Sequence, residues 1–237
     1  MSGKRRVGIF GGMFDPVHAG HLDVLNAAWT GLGLTDLCVL PSNLPPHRPP
    51  PVASSYHRFA MVALAIAGRP GWHVSDIELS RAGSSYTIET LQRFHADGLT
   101  AKELFFLTGA DAFLEIATWK DYPALLDAAH FVVVSRPGVH ATDLPRRLPA
   151  LATRMTSSAE PASSRSTLIF LLDAPTRDVS STAIRQARRS GNSIAGLVPA
   201  SVQQHIEQHG LYEDPALRDP TASSLNERPA GTLHGRD

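Results

Sequence analysis

Gly11-Gly12-Met13-Phe14-Asp15-Pro16-Val17-His18-Ala19-Gly20-His21 follows an apolar run at residues 7–10 and precedes an amphipathic run at residues 22–32. Strand, glycine turn and helix in that order make the first βα unit of a nucleotide-binding sheet. Adjacent glycines, lacking Cβ, let the backbone turn sharply and approach a phosphate. His18 and His21 are three apart at the helix start, so both imidazoles can face one side. The free amides of a helix N-terminus attract anions. Together these features read as a phosphate site. Two histidines three apart can also share a metal ion, but no third ligand of suitable spacing follows, so no protein-held metal is expected.

Working outward, 43% of the 237 residues are hydrophobic, enough for one domain with a substantial core. Lys+Arg and Asp+Glu both number 22, so nothing global points to nucleic acid or to an acidic surface. Any attraction for an anion must be local. The single cysteine, Cys38, sits in an apolar run and reads as a buried structural thiol in a reducing, cytoplasmic protein. No signal peptide is expected, because the apolar run after Lys4-Arg5-Arg6 breaks at Gly11-Gly12. No stretch approaches the ~18 apolar residues of a membrane span.

Apolar runs give further strands at residues 37–41, 103–108, 131–134 and 168–172, alternation gives one at 72–79, and caps, glycine stops and amphipathic pattern give helices at 54–67, 88–96, 180–189 and 199–209. Residues 103–108 are the most hydrophobic and are expected at the sheet centre. The alternation predicts an α/β protein: a Rossmann-like, open, mainly parallel sheet with helices on both faces. A single domain is expected over residues 1–212, with a long irregular connection at about 139–165 and a disordered tail at 213–237. Pro45-Pro46-His47-Arg48-Pro49-Pro50-Pro51, with five prolines, reads as a stiff loop carrying two cations. Ser84-Ser85-Tyr86-Thr87 precedes a helix, where hydroxyls ordinarily cap. Asp111 follows the central strand at its carboxyl end, where ligands of open α/β sheets bind. Ser180 can cap the helix that carries Thr182 and Arg185, while Arg188 and Arg189 read as a solvated face.

Two of these motifs, G-G-x-F-D-P-x-H-x-G-H and Ser180-Ser181-Thr182-Ala183-Ile184-Arg185, resemble the paired signatures of the H-x-G-H nucleotidyltransferases. Their order and spacing are similar to those of bacterial nicotinate-nucleotide adenylyltransferases, over residues 7–212. The resemblance implies transfer of the adenylyl group of ATP to nicotinate mononucleotide, with release of pyrophosphate and formation of nicotinate adenine dinucleotide. It implies catalytic roles for His18, His21 and Arg185. The ATP site would add Gly11, Gly12, Met13, Phe14, Asp111, Ser180 and Thr182. His47, Arg48, Ser85, Tyr86, Thr87, Trp119 and Arg136 would hold the mononucleotide, with Trp119 as the stacking surface for the pyridine ring. Mg2+ would be bound mainly through ATP phosphates. No nucleic acid or membrane partner is expected, and a homo-oligomer is compatible with the chain. The alternatives are a nicotinamide mononucleotide or pantetheine phosphate acceptor, or a nucleotide sensor without turnover. Met13 departs from the family, which usually has Thr or Ser there.

Overall fold

The computed structural model describes residues 5–44, 49–80, 83–159 and 166–214. Seven strands form one sheet: β1 (Val7–Gly12), β2 (Asp36–Pro41), β3 (Trp72–Val74), β4 (Leu104–Gly109), β5 (His130–Val134), β6 (Met155–Thr156) and β7 (Ile169–Leu172). Their order is β3-β2-β1-β4-β5-β7-β6, and each pairing is parallel. The chain runs outward from β1 to β3, then returns to place β4 on the other side of β1. That reversal opens a crevice at the carboxyl ends of β1 and β4, the usual ligand position of such sheets.

Strand periodicity places alternate residues on opposite faces. In β4, Phe105 and Leu107 enter one hydrophobic cluster, and Leu104 and Phe106 the other. In β5, Val132 and Val134 oppose Phe131 and Val133 in the same way. The first face is covered by α1 (Ala19–Leu32), α2 (Ser55–Ile66), α6 (Ser181–Arg189) and α7 (Ala200–Gln208), through residues such as Leu25, Met61, Ile184 and Ile206. The second is covered by α3 (Thr87–Ala96), the one-turn helices α4 (Ala110–Phe113) and α5 (Leu144–Arg147), and intervening 3-10 turns. Each fully buried aliphatic or aromatic side chain on these faces contributes about 1.5–3 kcal/mol. Cys38 is buried between β1 and β3, and desolvation pushes its thiol up to about 12, as expected of an inert structural thiol.

Several sequence expectations change. The third strand stops at Val74 instead of running to residue 79, because only Leu37–Val39 of β2 pair with it and the chain then turns. The connection at 139–165 is not irregular in its described part. Leu144 and Leu151 anchor short helical turns, and β6 pairs beside β7 at the sheet edge. The 72–79 and 139–165 stretches are too short in regular pattern for periodicity to resolve. Residues 215–237, most of the expected tail, lie outside the described residues. Among the described residues no helix is long and apolar enough to cross a membrane.

Candidate active site

The glycines do not make the sharp turn. β1 continues through Gly11 and Gly12 in register with Leu40 and Pro41. The reversal falls at Phe14, with φ of 47°, and the following Asp15–Pro16 peptide is cis. Gly12 is needed for a different reason: a Cβ there would lie 2.8 Å from the Phe14 ring folded back over it. Phe14 is itself 1% exposed and packs between Phe10 and His21, so its side chain belongs to the core.

Buried polar contacts hold this turn. The Asp15 carboxylate, 2% exposed, accepts from Val52 N at 2.7 Å, Ala53 N at 3.0 Å and Tyr212 Oη at 2.7 Å. Arg58 of α2, 1% exposed, donates to the carbonyls of Met13 at 2.8 Å and Ser42 at 2.6 Å. Asp15 and Arg58 were not singled out in the sequence. The signal for Arg58 was there: a cation on the apolar stripe of a helix, beside Met61, Val62 and Ile66.

α1 begins three residues earlier than its apolar pattern, at Ala19, with His18 as its N-cap. The His18 and His21 rings stack at 3.6 Å between centroids. His21 Nδ1 accepts from the His18 backbone N–H at 3.2 Å, which leaves the ring proton on Nε2 as a donor. Burial, the neighbouring His18 and the Arg136 cation hold His21 well below the usual histidine range. His18 is lowered to about 4, by burial first and Arg136 second. Both rings are therefore neutral at pH 7 in the free protein. His18 Nδ1 is buried with no hydrogen-bond partner among the described residues. A buried ring nitrogen in that state is suited to a ligand atom. Gly20, between the histidines, admits Arg136: a Cβ would come within 3.2 Å of Arg136 Nη1 and 3.0 Å of the Arg177 carbonyl.

The second motif closes the site from α6. Ser180 caps the helix, its Oγ accepting from Ala183 N at 3.1 Å. Ser181 Oγ donates to the Pro16 carbonyl at 2.9 Å, and Arg185 Nη1 to the Asp15 carbonyl at 2.7 Å. Residues some 170 positions apart in sequence thus share one turn. Arg185 also donates to Thr182 Oγ1 at 3.2 Å. Arg188 departs from the solvated-face reading: it is mostly buried and ion-paired with Glu213. Arg189 is exposed and lines the cleft.

The resulting cleft has a volume of about 740 Å3. Gly11, Gly12, Met13, His18 and His21 line it from β1 and α1, and Ser180, Thr182 and Arg185 from α6. Asp111, Trp119 and Arg136 line its β4–β5 side, with Ser85 and Thr87 at the far end. Trp119 is partly buried and edge-on to Phe106 at 6.0 Å. Tyr86 is not in the cleft. It lines a neighbouring hollow with Glu78 and Arg93, and Lys120 covers its ring at 4.6 Å. The hydroxyls before α3 are not caps either. Tyr86 is the N-cap without a side-chain bond, and Ser85 Oγ instead accepts from Asn43 N at 3.0 Å. His47 and Arg48 lie outside the described residues.

Comparison with known proteins agrees with this geometry. The family model described as cytidylyltransferase-like matches residues 9–187. A protein of Serratia proteamaculans, named a probable nicotinate-nucleotide adenylyltransferase, is 41% identical over 206 residues, covering 86% of this chain and 94% of its own. A relative of the same name from Desulfatibacillum aliphaticivorans is 40% identical, covering 87% and 99%. The chain belongs to the nicotinate-nucleotide adenylyltransferase family. The fold of this adenylyltransferase family member is shared with the nicotinic acid mononucleotide adenylyltransferase of Plasmodium falciparum, solved in complex with NaAD. The TM-score is 0.67 at 18% identity, covering 88% of this chain and 97% of that one.

Proposed function

We propose that this adenylyltransferase family member joins nicotinate mononucleotide to the adenylyl group of ATP, releasing pyrophosphate and forming nicotinate adenine dinucleotide. The observation that carries the reading is the meeting of both motifs at one turn: Arg185 on the Asp15 carbonyl and Ser181 on the Pro16 carbonyl, around the stacked His18 and His21.

The attacking group is a phosphate oxygen that is already anionic, so the reaction needs no general base. The bond formed is from that oxygen to the α-phosphorus of ATP; the bond broken is to the bridging oxygen of the leaving pyrophosphate. Catalysis then consists of alignment and of stabilising charge on the transferring and leaving phosphates. His21 Nε2–H, the His18 ring and Arg185 are the donors for those oxygens. Neutral imidazoles suit this work, since they donate without a proton having to leave. The amides opening α6 would hold the β- and γ-phosphates, favoured by the helix dipole.

The carboxylates facing the cleft fit a Mg2+ ion held chiefly by phosphate oxygens. Asp15 has both oxygens engaged, Glu78 accepts from Thr90 at 2.6 Å, and Asp111 alone of the three is exposed. Mg2+ tolerates few protein ligands when phosphates supply the rest, and Asp111 is the carboxylate that would approach it. The ion would neutralise charge on the triphosphate.

At the opposite end, the start of α3 lacks a side-chain cap, and Thr87 faces the cleft. Uncapped amide N–H groups would donate to a nicotinate carboxylate and match an amide NH2 poorly. Trp119, which lines the cleft and stands perpendicular to the Phe106 ring, would stack on the pyridine ring.

The test is pyrophosphate release with ATP and Mg2+, offering nicotinate mononucleotide, nicotinamide mononucleotide and pantetheine phosphate in parallel. Turnover confined to the first is expected. Faster turnover with another acceptor overturns the acceptor assignment, and nucleotide binding without pyrophosphate from any of them overturns the reaction.

A further inference from the structure

Outside the cleft lining, three imidazoles converge. His57 lies in the first turn of α2, and His205 and His209 are one turn apart at the end of α7. Histidines four residues apart on a helix share a face, and this pair is directed at α2. His57 Nδ1 and His205 Nε2 are 3.1 Å apart, and one nitrogen from each of the three rings falls within 4.8 Å of the others. The ring centroids are 4.5–5.2 Å apart. None of the three lines the cleft.

A hydrogen bond between two neutral imidazoles would explain His57 and His205. It does not require the third ring, brought to the same point from the end of α7. Metal coordination uses all three. Zn–N bonds of about 2.0–2.1 Å in a tetrahedron put the nitrogens about 3.3 Å apart, close to the spacing already present between His57 and His205. His209 is exposed, leaving room for water as a fourth ligand.

We propose that His57, His205 and His209 form a binding site for a borderline divalent transition-metal ion of the Zn2+ class, which fastens α7 to α2. Imidazole nitrogen selects such ions over Mg2+, which demands oxygen. The position gives the ion leverage on the active-site turn. α2 carries Arg58, which holds the Met13 carbonyl, and the chain after α7 carries Tyr212, which holds Asp15.

The experiment uses tag-free, chelator-treated full-length protein in excess Mg2+, titrated with Co2+ and followed by visible absorption. One equivalent bound with the intense bands of a four-coordinate site, displaced by Zn2+, is expected. His209→Ala, at an exposed position, should weaken Co2+ binding by at least the roughly tenfold that loss of even an outer-shell partner costs. His205→Ala should abolish the bands. One equivalent of Zn2+ should raise the melting temperature of the wild type and leave both variants unmoved. Octahedral Co2+ spectra, or binding that both variants retain, would overturn the site.

Discussion

The hydroxyl of Tyr212 donates to Asp15 Oδ1 at 2.7 Å, joining the last described turn of the chain to the first βα turn. Tyr212 is 6% exposed, and burial together with the Asp15 carboxylate raises its pKa, so it remains a donor throughout the useful pH range. Hydrogen bonds to buried charged groups are worth about 1.5–3 kcal/mol. Tyr212→Phe keeps the ring packing and should lose about that much stability by urea unfolding. An unchanged midpoint would show that the contact carries no energy.

Arg58 donates to two carbonyls from inside the core. Arg58→Met preserves the aliphatic bulk but leaves the Met13 and Ser42 oxygens without that donor. Each such orphaned group costs about 1–3 kcal/mol. The expected result is a loss of about 3 kcal/mol in unfolding and a lower kcat at saturating ATP, since the turn carrying the histidines loosens. A variant as stable and active as wild type would remove Arg58 from the support of the site.

His21→Ala removes a donor to the transferring phosphate, worth about 3–4 kcal/mol or 10²–10³ in kcat where such donors have been deleted. The ring also packs on Phe10 and Phe14, so a smaller loss of stability accompanies it. Steady-state kinetics beside urea unfolding separates the two effects. Turnover near the wild-type rate rejects the role.

His18, 2% exposed, has its pKa lowered to about 4. Below the ordinary histidine value of 6.5, the unfolded chain binds a proton that the folded protein refuses. Stability is therefore complete above about pH 6.5 and declines as pH falls from there toward 4, by about 3 kcal/mol in total. His21, lowered in the same direction, steepens the slope. Urea midpoints between pH 7.5 and 4.5 should fall more in the wild type than in His18→Asn. Parallel curves would exclude His18 as the source.

Much of this was legible along the chain because it is local. The continuous apolar runs of β4 and β5 mark buried strands, the helical stripe of α1 follows from residue periodicity, and the H-x-G-H placement follows from the helix start beside it. Short or weakly patterned pieces were not legible. β3 is only three residues, paired with Leu37–Val39 although β2 runs on to Pro41, and β6 is only two residues held by β7. The Ser-Tyr-Thr segment shows a different limit. Its placement before α3 was evident, but Ser85 serves Asn43 and Tyr86 turns under Lys120, choices made by partners about 30–40 residues away.

What the sequence by itself determined is the layered α/β architecture, the order strand–turn–helix around His18 and His21, and the capped helix bearing Arg185. Each depends on side-chain period, chain stiffness or capping over a few residues. Only the tertiary structure decided that the bend falls at Phe14 and not at the glycines, that Asp15 and Arg58 are structural anchors, that Arg188 is paired, and that His57 meets His205 and His209. Those facts depend on which distant groups are desolvated together. A buried carboxylate or guanidinium must find its partners wherever the fold brings them, and no local pattern records the address.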